Sequence, residues 1–347
     1  MEKRVFSVGM VGCGQISSSH FSGFEKASNA KLAMVMDVDE VAARAAGEKQ
    51  GVPYTTSLDE ILSRDDIDII SIATPHYLHA PITISAARAG KHVMVEKPMC
   101  TTMEDADEMI SACDDNGVKL AVWFPSRYSG IAQKARELLR QGVIGRIMYV
   151  KISTMGYKEA NYWERGVGGR ARLSDWRRYM RTAGGGILIM NTVHNIDQMR
   201  YILGYEATSI YAQKGTFGSA AEVEDFISVS IGYENGTIGY IESSSWAVGR
   251  STDPTRIYGT AGQLTLSPFK VYLNRVIGEY PEKEWFEPAI GEVRSGRESL
   301  TEDFVDAIIS NTDPPITGED GKKALEVILG AYESARVGMP VDLPLYY

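Results

Sequence analysis

Short apolar stretches alternate with helical stretches from residue 4 to about residue 124, and this alternation limits the fold more than any other feature. The apolar stretches are RVFSVGMVG, KLAMVMD, DIDIISIAT, HVMVEK and KLAVWF. The helical stretches between them include ISSSHFSGFEKA, DEVAARAAGEKQ, SLDEILSR and TTMEDADEMISACDDNG. Strands that are apolar on both faces and separated by helices are typical of a parallel sheet covered by helices on both sides. The sequence therefore predicts an α/β fold with a Rossmann doubly wound sheet in a domain of residues 1–124.

The texture changes after the helical segment GIAQKARELLRQG. The following strands are longer and alternate polar with apolar residues: RIMYVKISTMGY, TSIYAQKGTFG, FISVSIGY, TIGYIESSS and PTRIYGTAGQLTL. Asn235-Gly236 between two of them is a hairpin turn signal. Helices are expected at GGGILIMNTVHNIDQMRYILG, ESLTEDFVDAIIS and GEDGKKALEVILGAYESARVG. Residues 125–347 are thus predicted to form an α+β domain with a large, mostly antiparallel, open-faced sheet.

Composition and charge limit the class of partner. The chain has 45 acidic and 36 basic residues, a formal net charge of −9, which disfavours nucleic acid and anionic membranes. There is no long apolar run and no signal-peptide pattern at MEKRVFSVGM, so a cytoplasmic location is predicted. Three cysteines without C-x-x-C spacing indicate reduced packing residues and no metal site. Small molecules are the expected partners.

A glycine-rich turn follows the first strand and opens the first helix. It reads Gly12-Cys13-Gly14-Gln15-Ile16-Ser17, the G-x-G-x-x-small pattern that lets a pyrophosphate approach a helix N-terminus. Asp37 ends the second strand about 20 residues further on, where an acid binds the ribose hydroxyls and repels a 2′-phosphate. The cofactor predicted is NAD, with NADP disfavoured. The alternative is a glycine-rich turn followed by an N-capping aspartate.

Polar residues end two of the later parallel strands, at the edge where such sheets place ligands. Thr74-Pro75-His76 and the nearby His79 follow one strand, and Glu96-Lys97-Pro98 ends the next. We expect these residues near the cofactor, with Glu96 orienting Lys97. Burial would lower the pKa of Lys97 and let it share a proton with a substrate hydroxyl. The alternatives are a solvated lysine and histidines with ordinary loop or capping roles.

Taken together, five motifs resemble the glucose-fructose oxidoreductase and myo-inositol dehydrogenase (Gfo/Idh/MocA) family across nearly the whole chain. They are GCGQIS, ATPHYLH, AGKHVMVEKP, GGGILIMNTVHNID and PPITGEDGKKALEVILGAYESAR. The resemblance implies that Lys97 contacts the reacting hydroxyl, that Pro98 is cis, and that His194 takes the hydroxyl proton while hydride passes to the nicotinamide. It also implies a homodimer or homotetramer assembled through the second sheet.

One position departs from the pattern of that family. Many relatives carry an aspartate four residues before the histidine, where this sequence has Met190. Asn191 and Asp197 lie three residues either side of His194 and so share its helical face. We expect Asn191 to position substrate and Asp197 to orient the imidazole or bind a second hydroxyl. The alternative for both is a role in helix packing or in supporting other site residues.

Further candidates lie along the expected substrate wall. Arg127 and Tyr128 directly follow the last strand of the first sheet and are expected to reach the cleft. The stretch from residue 161 to residue 186 carries two tryptophans suited to sugar rings and six arginines suited to anions: Trp163, Trp176, Arg165, Arg170, Arg172, Arg177, Arg178 and Arg181. An anionic sugar, a subunit interface and a solvated face all remain open for the arginines.

The leading functional hypothesis is an NAD(P)-dependent oxidoreductase that acts on a secondary alcohol of a sugar, inositol or sugar derivative. A second hypothesis is a glycoside-cleaving enzyme that oxidises its substrate transiently, so that NAD is regenerated. A third is a ligand-sensing regulator without catalysis. Lys97 and His194 argue against the sensor, whereas Met190 keeps it open.

Overall fold

The computed structural model describes residues 4–164, 174–249, 253–278, 280–291 and 295–346. The first sheet has six parallel strands in the order β3-β2-β1-β4-β5-β6. They are β1 (Phe6–Val11), β2 (Ala30–Met36), β3 (Tyr54–Thr55), β4 (Ile69–Ile72), β5 (His92–Glu96) and β6 (Leu120–Trp123). The helices between them are α1 (Ser17–Lys26), α2 (Glu40–Gln50), α3 (Leu58–Leu62), α4 (His79–Arg88) and α5 (Met103–Asp115). This confirms the predicted doubly wound sheet and adds the two-residue strand β3.

The second sheet has nine strands, and helices cover one of its faces. Its strands are β7 (Ile147–Met155), β8 (Ala207–Gly215), β9 (Phe226–Tyr233), β10 (Ile238–Ser244), β11 (Arg256–Gly259), β12 (Gly262–Leu266), β13 (Phe269–Leu273), β14 (Trp285–Phe286) and β15 (Val341–Asp342). The helices in this part of the chain are α6 (Gly130–Arg140), α7 (Ala160–Glu164), α8 (Met180–Ala183), α9 (Val193–Leu203), α10 (Gly296–Ser310) and α11 (Gly318–Val337). The strand order is β14-β13-β12-β11-β7-β10-β9-β8-β15.

The sheet is mostly antiparallel, as predicted, with one parallel pair. That pair is β7 and β10, and the hairpin between β9 and β10 turns at Gly236, whose φ is +80°. Along β10, Gly239 and Ile241 are buried, whereas Ile238 is exposed and Tyr240 is half-buried. One face of the sheet therefore packs on the core and the other is open. Assembly of copies through this open face stays a prediction.

The last two long helices also pack against the first sheet. Asn29 at the start of β2 donates to the main-chain oxygen of Glu302 in α10, and Thr317 before α11 forms a bridge to Ala121 of β6. The two helices between β14 and β15 of the second sheet thus also contact the first sheet. This contact holds the edge of the first sheet against the core of the second.

None of the three cysteines forms a disulfide within the described residues, and all three are buried, as expected of packing residues. Over the described ranges, no helix is long and apolar enough to cross a membrane.

Candidate active site

The glycine-rich turn forms an open cradle at the start of α1. Gly12 has a φ of +97°, and a Cβ atom there would lie 2.6 Å from the main-chain oxygen of Ala73, so only glycine fits. At Gly14, by contrast, no atom lies within 4 Å of an added Cβ position. Ser17 fixes the turn by donating its hydroxyl to the Gly14 carbonyl at 2.6 Å. The exposed side chains of Gln15 and Ile16 border the same open space, which fits a pyrophosphate at the helix N-terminus.

The Asp37 carboxylate is held where β2 ends. Its two oxygens accept from the main-chain N–H groups of Cys13, at 2.8 Å, and Asp39, at 2.9 Å. A carboxylate has about four lone-pair sites, so two remain for ribose hydroxyls. The neighbouring Val38 is 65% exposed and carries no charge to balance a 2′-phosphate. These residues fit NAD as the sequence predicted.

Thr74, His76 and His79 follow β4. Thr74 has an unpaired hydroxyl in the described residues, whereas the two histidines form hydrogen bonds to neighbouring loops. The Thr74 hydroxyl is buried and has no hydrogen-bond partner in the described residues, and its contact with a cofactor stays a prediction. His76 bonds to the Ala183 carbonyl at 2.8 Å, and His79 bridges the carbonyls of Thr74, at 2.9 Å, and Pro98, at 2.8 Å. Burial lowers the pKa of both rings. The two histidines thus hold neighbouring loops in place, and their contact with a cofactor stays a prediction.

Glu96 does not pair with the side chain of Lys97, in contrast to the sequence expectation. Glu96 is 4% exposed; one oxygen accepts from the main-chain N–H of Lys97 at 2.9 Å, and the other lies 3.1 Å from Nε2 of the buried His20. The His20 ring stacks on Trp123 and bonds to Ser71 at 2.8 Å. Glu96 is therefore a buried support beneath the chain at Lys97 and is not placed to contact a cofactor.

Lys97 extends from the end of β5 toward the second sheet. The Lys97-Pro98 peptide is cis, as the resemblance implied. The ammonium donates to the main-chain oxygen of Met190 at 2.9 Å. Burial lowers the pKa of Lys97, the nearby Glu96 charge opposes this, and Arg177 lowers it further. The lysine is thus a partly buried cation whose pKa favours sharing a proton.

A short π-helix, Leu188–Thr192, presents the Met190 carbonyl to Lys97. The sequence predicted one regular helix here, but the turn is widened immediately before α9. The carboxylate of Glu224 fixes its start by accepting from the N–H groups of Gly186, at 2.8 Å, and Leu188, at 3.1 Å. A Cβ atom at Gly186 would overlap the Glu224 carbonyl. The last glycine of the run is therefore needed for close approach, and wide helical turns of this kind are frequent at functional sites.

His194 lies in the first turn of α9 with no hydrogen bond to its ring in the described residues, and its Nδ1 is buried. Burial, helped by the charge of Lys97, lowers the pKa of His194 to about 3, although Glu96 acts in the opposite direction. The ring is therefore neutral at ordinary pH. A neutral imidazole without a partner can accept a hydrogen bond from a substrate hydroxyl.

Asn191 and Met190 face Tyr162 of α7, a residue that the sequence analysis did not single out. The Tyr162 hydroxyl lies 3.1 Å from the side-chain oxygen of Asn191 and 3.6 Å from the sulfur of Met190. The Asn191 amide group is thereby oriented, and its contact with substrate stays a prediction. The adjacent aromatic pair Tyr162-Trp163 was the only sequence signal for this contact.

Asp197 and Arg127 form a buried ion pair with each other and not with the site at Lys97. Asp197 is 0% exposed, and both of its oxygens accept from the Arg127 guanidinium, at 3.1 and 2.9 Å from Nε. Arg127 also bonds to Asp320 and lines a separate cavity of about 950 Å³ together with Arg136 and Tyr201. The expectations that Asp197 orients His194 and that Arg127 reaches the cleft are therefore corrected.

Replacing Arg127 with methionine is expected to lower the free energy of unfolding by about 3–5 kcal/mol at pH 8, because a buried charge loses its partner. Burial raises the pKa of Asp197 to about 6 against the opposing effect of Arg127, so removing Arg127 raises it further. A carboxyl whose folded pKa exceeds its unfolded value costs stability as pH rises through that interval. The loss should be smaller at pH 5, where Asp197 is protonated.

Urea unfolding at the two pH values checks this prediction. The matched control is Arg127→Met combined with Asp197→Leu, which leaves no carboxylate at position 197 and should recover much of the lost stability. An equal loss at pH 5 and pH 8, or no recovery in the double variant, would contradict the ion-pair assignment.

Tyr128, Trp163 and Trp176 were also predicted to contact substrate, and their surroundings in the structure differ. Tyr128 donates its hydroxyl to Asp303 of α10 at 2.9 Å, and Trp163 is only 1% exposed, so neither faces a cleft. Trp176 is partly buried, and its ring packs edge-on against His76 at 4.5 Å. Only Trp176 therefore remains a candidate for the substrate wall. Arg165, Arg170 and Arg172 fall outside the described residues.

A dinucleotide cradle and a lysine at the ligand edge of a Rossmann sheet, with a histidine on α9 that has no hydrogen bond to its ring in the described residues, are typical of the class of nicotinamide-dependent oxidoreductases. Residues 6–124 match "Oxidoreductase family, NAD-binding Rossmann fold", and residues 132–265 match "GFO/IDH/MocA C-terminal domain". The chain therefore belongs to the Gfo/Idh/MocA family and is an NAD-binding oxidoreductase.

Relatives match along nearly the full length of the chain. The 1,5-anhydro-D-fructose reductase of Ensifer adhaerens is 27% identical over 96% of this chain and 98% of its own. The myo-inositol 2-dehydrogenase of Thermotoga maritima is 26% identical over 97% and 98%. The crystal structure of the WlbA dehydrogenase from Bordetella pertussis, in complex with NADH and UDP-GlcNAcA, has a TM-score of 0.84 at 26% identity and covers 99% of this chain and 100% of that one.

Proposed function

We propose that the protein transfers hydride between a secondary alcohol of a sugar, inositol or sugar derivative and NAD. The observation that carries the proposal is the meeting of Lys97 with the π-helix before His194, since Lys97 bonds the carbonyl of Met190 and its charge is felt by the His194 ring. The relatives named as a sugar reductase and an inositol dehydrogenase support a substrate of this class.

In the direction of oxidation, the three groups have separate roles. The Lys97 ammonium donates a hydrogen bond to the reacting hydroxyl oxygen, and the Asn191 amide orients the substrate. The neutral His194 ring accepts the hydroxyl proton. Held by the turn at Gly12 and the Asp37 carboxylate, NAD would supply the hydride acceptor, and the C–H and O–H bonds of the alcohol would give way to a carbonyl. Lys97 then stabilises the carbonyl oxygen through the same N–H contact.

The hydrogen bond from Lys97 to the Met190 carbonyl also explains how the protein manages with methionine where many relatives carry aspartate. Since the π-helix supplies a main-chain oxygen to the ammonium, Lys97 has a fixed acceptor without a carboxylate at position 190. The loss of the aspartate found in many relatives therefore leaves the lysine positioned. This contact favours the enzyme over the ligand-sensing regulator.

The test is formation of NADH by the purified protein given NAD and a panel of free sugars, inositols, sugar acids and glycosides. We expect NADH from one group of secondary alcohols, measured by its absorbance. Release of an aglycone without net NADH would replace the proposal with the closed redox cycle. Silence across the panel from protein that binds NAD in calorimetry would favour the sensor.

A further inference from the structure

The described arginines of the segment before the glycine run face different ways. Arg178 donates to the carbonyl of Ala220 at 3.0 Å, and both Arg178 and Arg181 lie against Tyr179. Arg177 instead lies over the Trp176 ring, 4.6 Å from its centroid, and over the Tyr162 ring, 5.2 Å from its centroid. Only Arg177 among these three therefore faces the residues of the candidate active site.

Tyr162 connects Arg177 to the proposed chemistry. Its hydroxyl contacts Asn191 and Met190, and the Met190 carbonyl holds Lys97. The charge of Arg177 reaches Lys97, since it contributes to the lowered pKa of that lysine. Arg177 thus contacts Tyr162, which in turn contacts Met190, the residue whose carbonyl accepts the hydrogen bond from Lys97.

A second cation lies on the same ring. The ammonium of Lys158 is 5.2 Å from the Tyr162 centroid. Across the described ranges of the chain, neither Arg177 nor Lys158 forms an ion pair with a carboxylate, whereas Arg127, Arg200 and Lys151 all do. Two unpaired cations beside one tyrosine, in a protein with a net charge of −9, are complementary to an anion.

We propose that Arg177, assisted by Lys158, binds an anionic group on the substrate, either a carboxylate or a phosphate, while a secondary hydroxyl of the same molecule lies at Lys97. The Arg177 guanidinium lies over two aromatic rings and also hydrogen-bonds to Tyr162, and its remaining N–H donors suit a bond to such a group. The inference rests on the proposed function and narrows it: the substrate is a sugar acid or a sugar phosphate.

The experiment compares binding of matched compounds to the NAD-loaded protein. Calorimetry is run with hexoses, their uronic acids and their 6-phosphates, on wild-type protein and on Arg177→Met, Arg177→Lys and Arg178→Met. We expect wild-type protein to bind one anionic series more tightly than the matching hexoses. Arg177→Met should weaken that binding roughly 10- to 100-fold, as expected for loss of a charged hydrogen bond. Arg177→Lys should lose less, and the neighbouring control Arg178→Met should lose nothing.

The experiment also distinguishes a carboxylate from a phosphate, because uronic acids and sugar 6-phosphates are measured separately. Equal binding of neutral and anionic members, no binding of any anionic member, or unchanged anion binding in Arg177→Met would each overturn the proposal. Because the readout is binding, failure here is distinct from failure of hydride transfer. A protein that forms NADH from neutral sugars, unaffected by Arg177→Met, keeps the proposed function and loses the anion site.

Discussion

Replacing Lys97 with methionine is expected to lower turnover by roughly 10²–10⁴-fold, the range typical of a positioned acid or base. Methionine has a similar length and no charge, so it fills the space but cannot donate to the reacting oxygen. NAD binding should stay near the wild-type level, because the cradle at Gly12 and the carboxylate of Asp37 are built from other elements. Initial rates of NADH formation, together with calorimetric NAD binding, check both parts.

The matched control for this variant is Lys270→Met. Lys270 lies on β13 of the second sheet and pairs with Glu287 at the surface, so its loss should leave turnover unchanged. Turnover of Lys97→Met within twofold of wild type would remove Lys97 from the chemistry. Loss of NAD binding along with turnover would indicate a structural role for the lysine instead.

His194→Asn is expected to lower the oxidative rate by a similar roughly 10²–10⁴-fold, because an amide cannot take a proton. The structure adds an expectation about pH. Since burial and Lys97 lower the pKa of His194 to about 3, the ring stays neutral as pH falls from 8 to 5. Turnover of the wild-type protein should therefore show no loss around the ordinary histidine pKa of about 6.5 that can be assigned to His194.

A profile of turnover against pH, recorded for both proteins, checks this expectation. A loss near pH 6.5 that disappears in His194→Asn would contradict the buried, low-pKa environment, while a loss that persists in the variant would come from another group. Wild-type turnover in His194→Asn would exclude His194 as the base. The unfolding temperature of the variant controls for damage to the first turn of α9.

The sequence predicted many elements of the two sheets well because local rules determine them. Apolar strands, the turn at Gly12 and the hairpin at Gly236 each follow from a pattern within a few neighbouring residues. The two-residue β3 was missed because a strand so short has no periodicity to detect. The π-helix was missed because its widened turn depends on Glu224, a residue beyond the helix itself that bonds the N–H groups at its start.

The candidate site was predicted less completely than the fold. Lys97 bonds to the main-chain oxygen of Met190, the residue before Asn191 and four before His194, and the joint role of these three residues stays a prediction. Trp163, Tyr128 and His79 are residue types suited to ligands. In the structure, however, Trp163 is buried, Tyr128 bonds to Asp303, and His79 bonds to the Pro98 carbonyl. Residue type and spacing do not say which way a loop side chain turns, because that depends on what packs against it.

The sequence by itself determined the α/β class, the dinucleotide cradle and the strand end that carries Lys97, since these depend on short-range periodicity and turn chemistry. Only the tertiary structure decided the partners of the charged groups. Arg127 meets Asp197 across 70 residues of sequence, and Lys97 meets the carbonyl of Met190 across 93. A buried charge takes the partner that packing places beside it, whereas Arg177 lies over the Trp176 and Tyr162 rings with no ion pair to a described carboxylate.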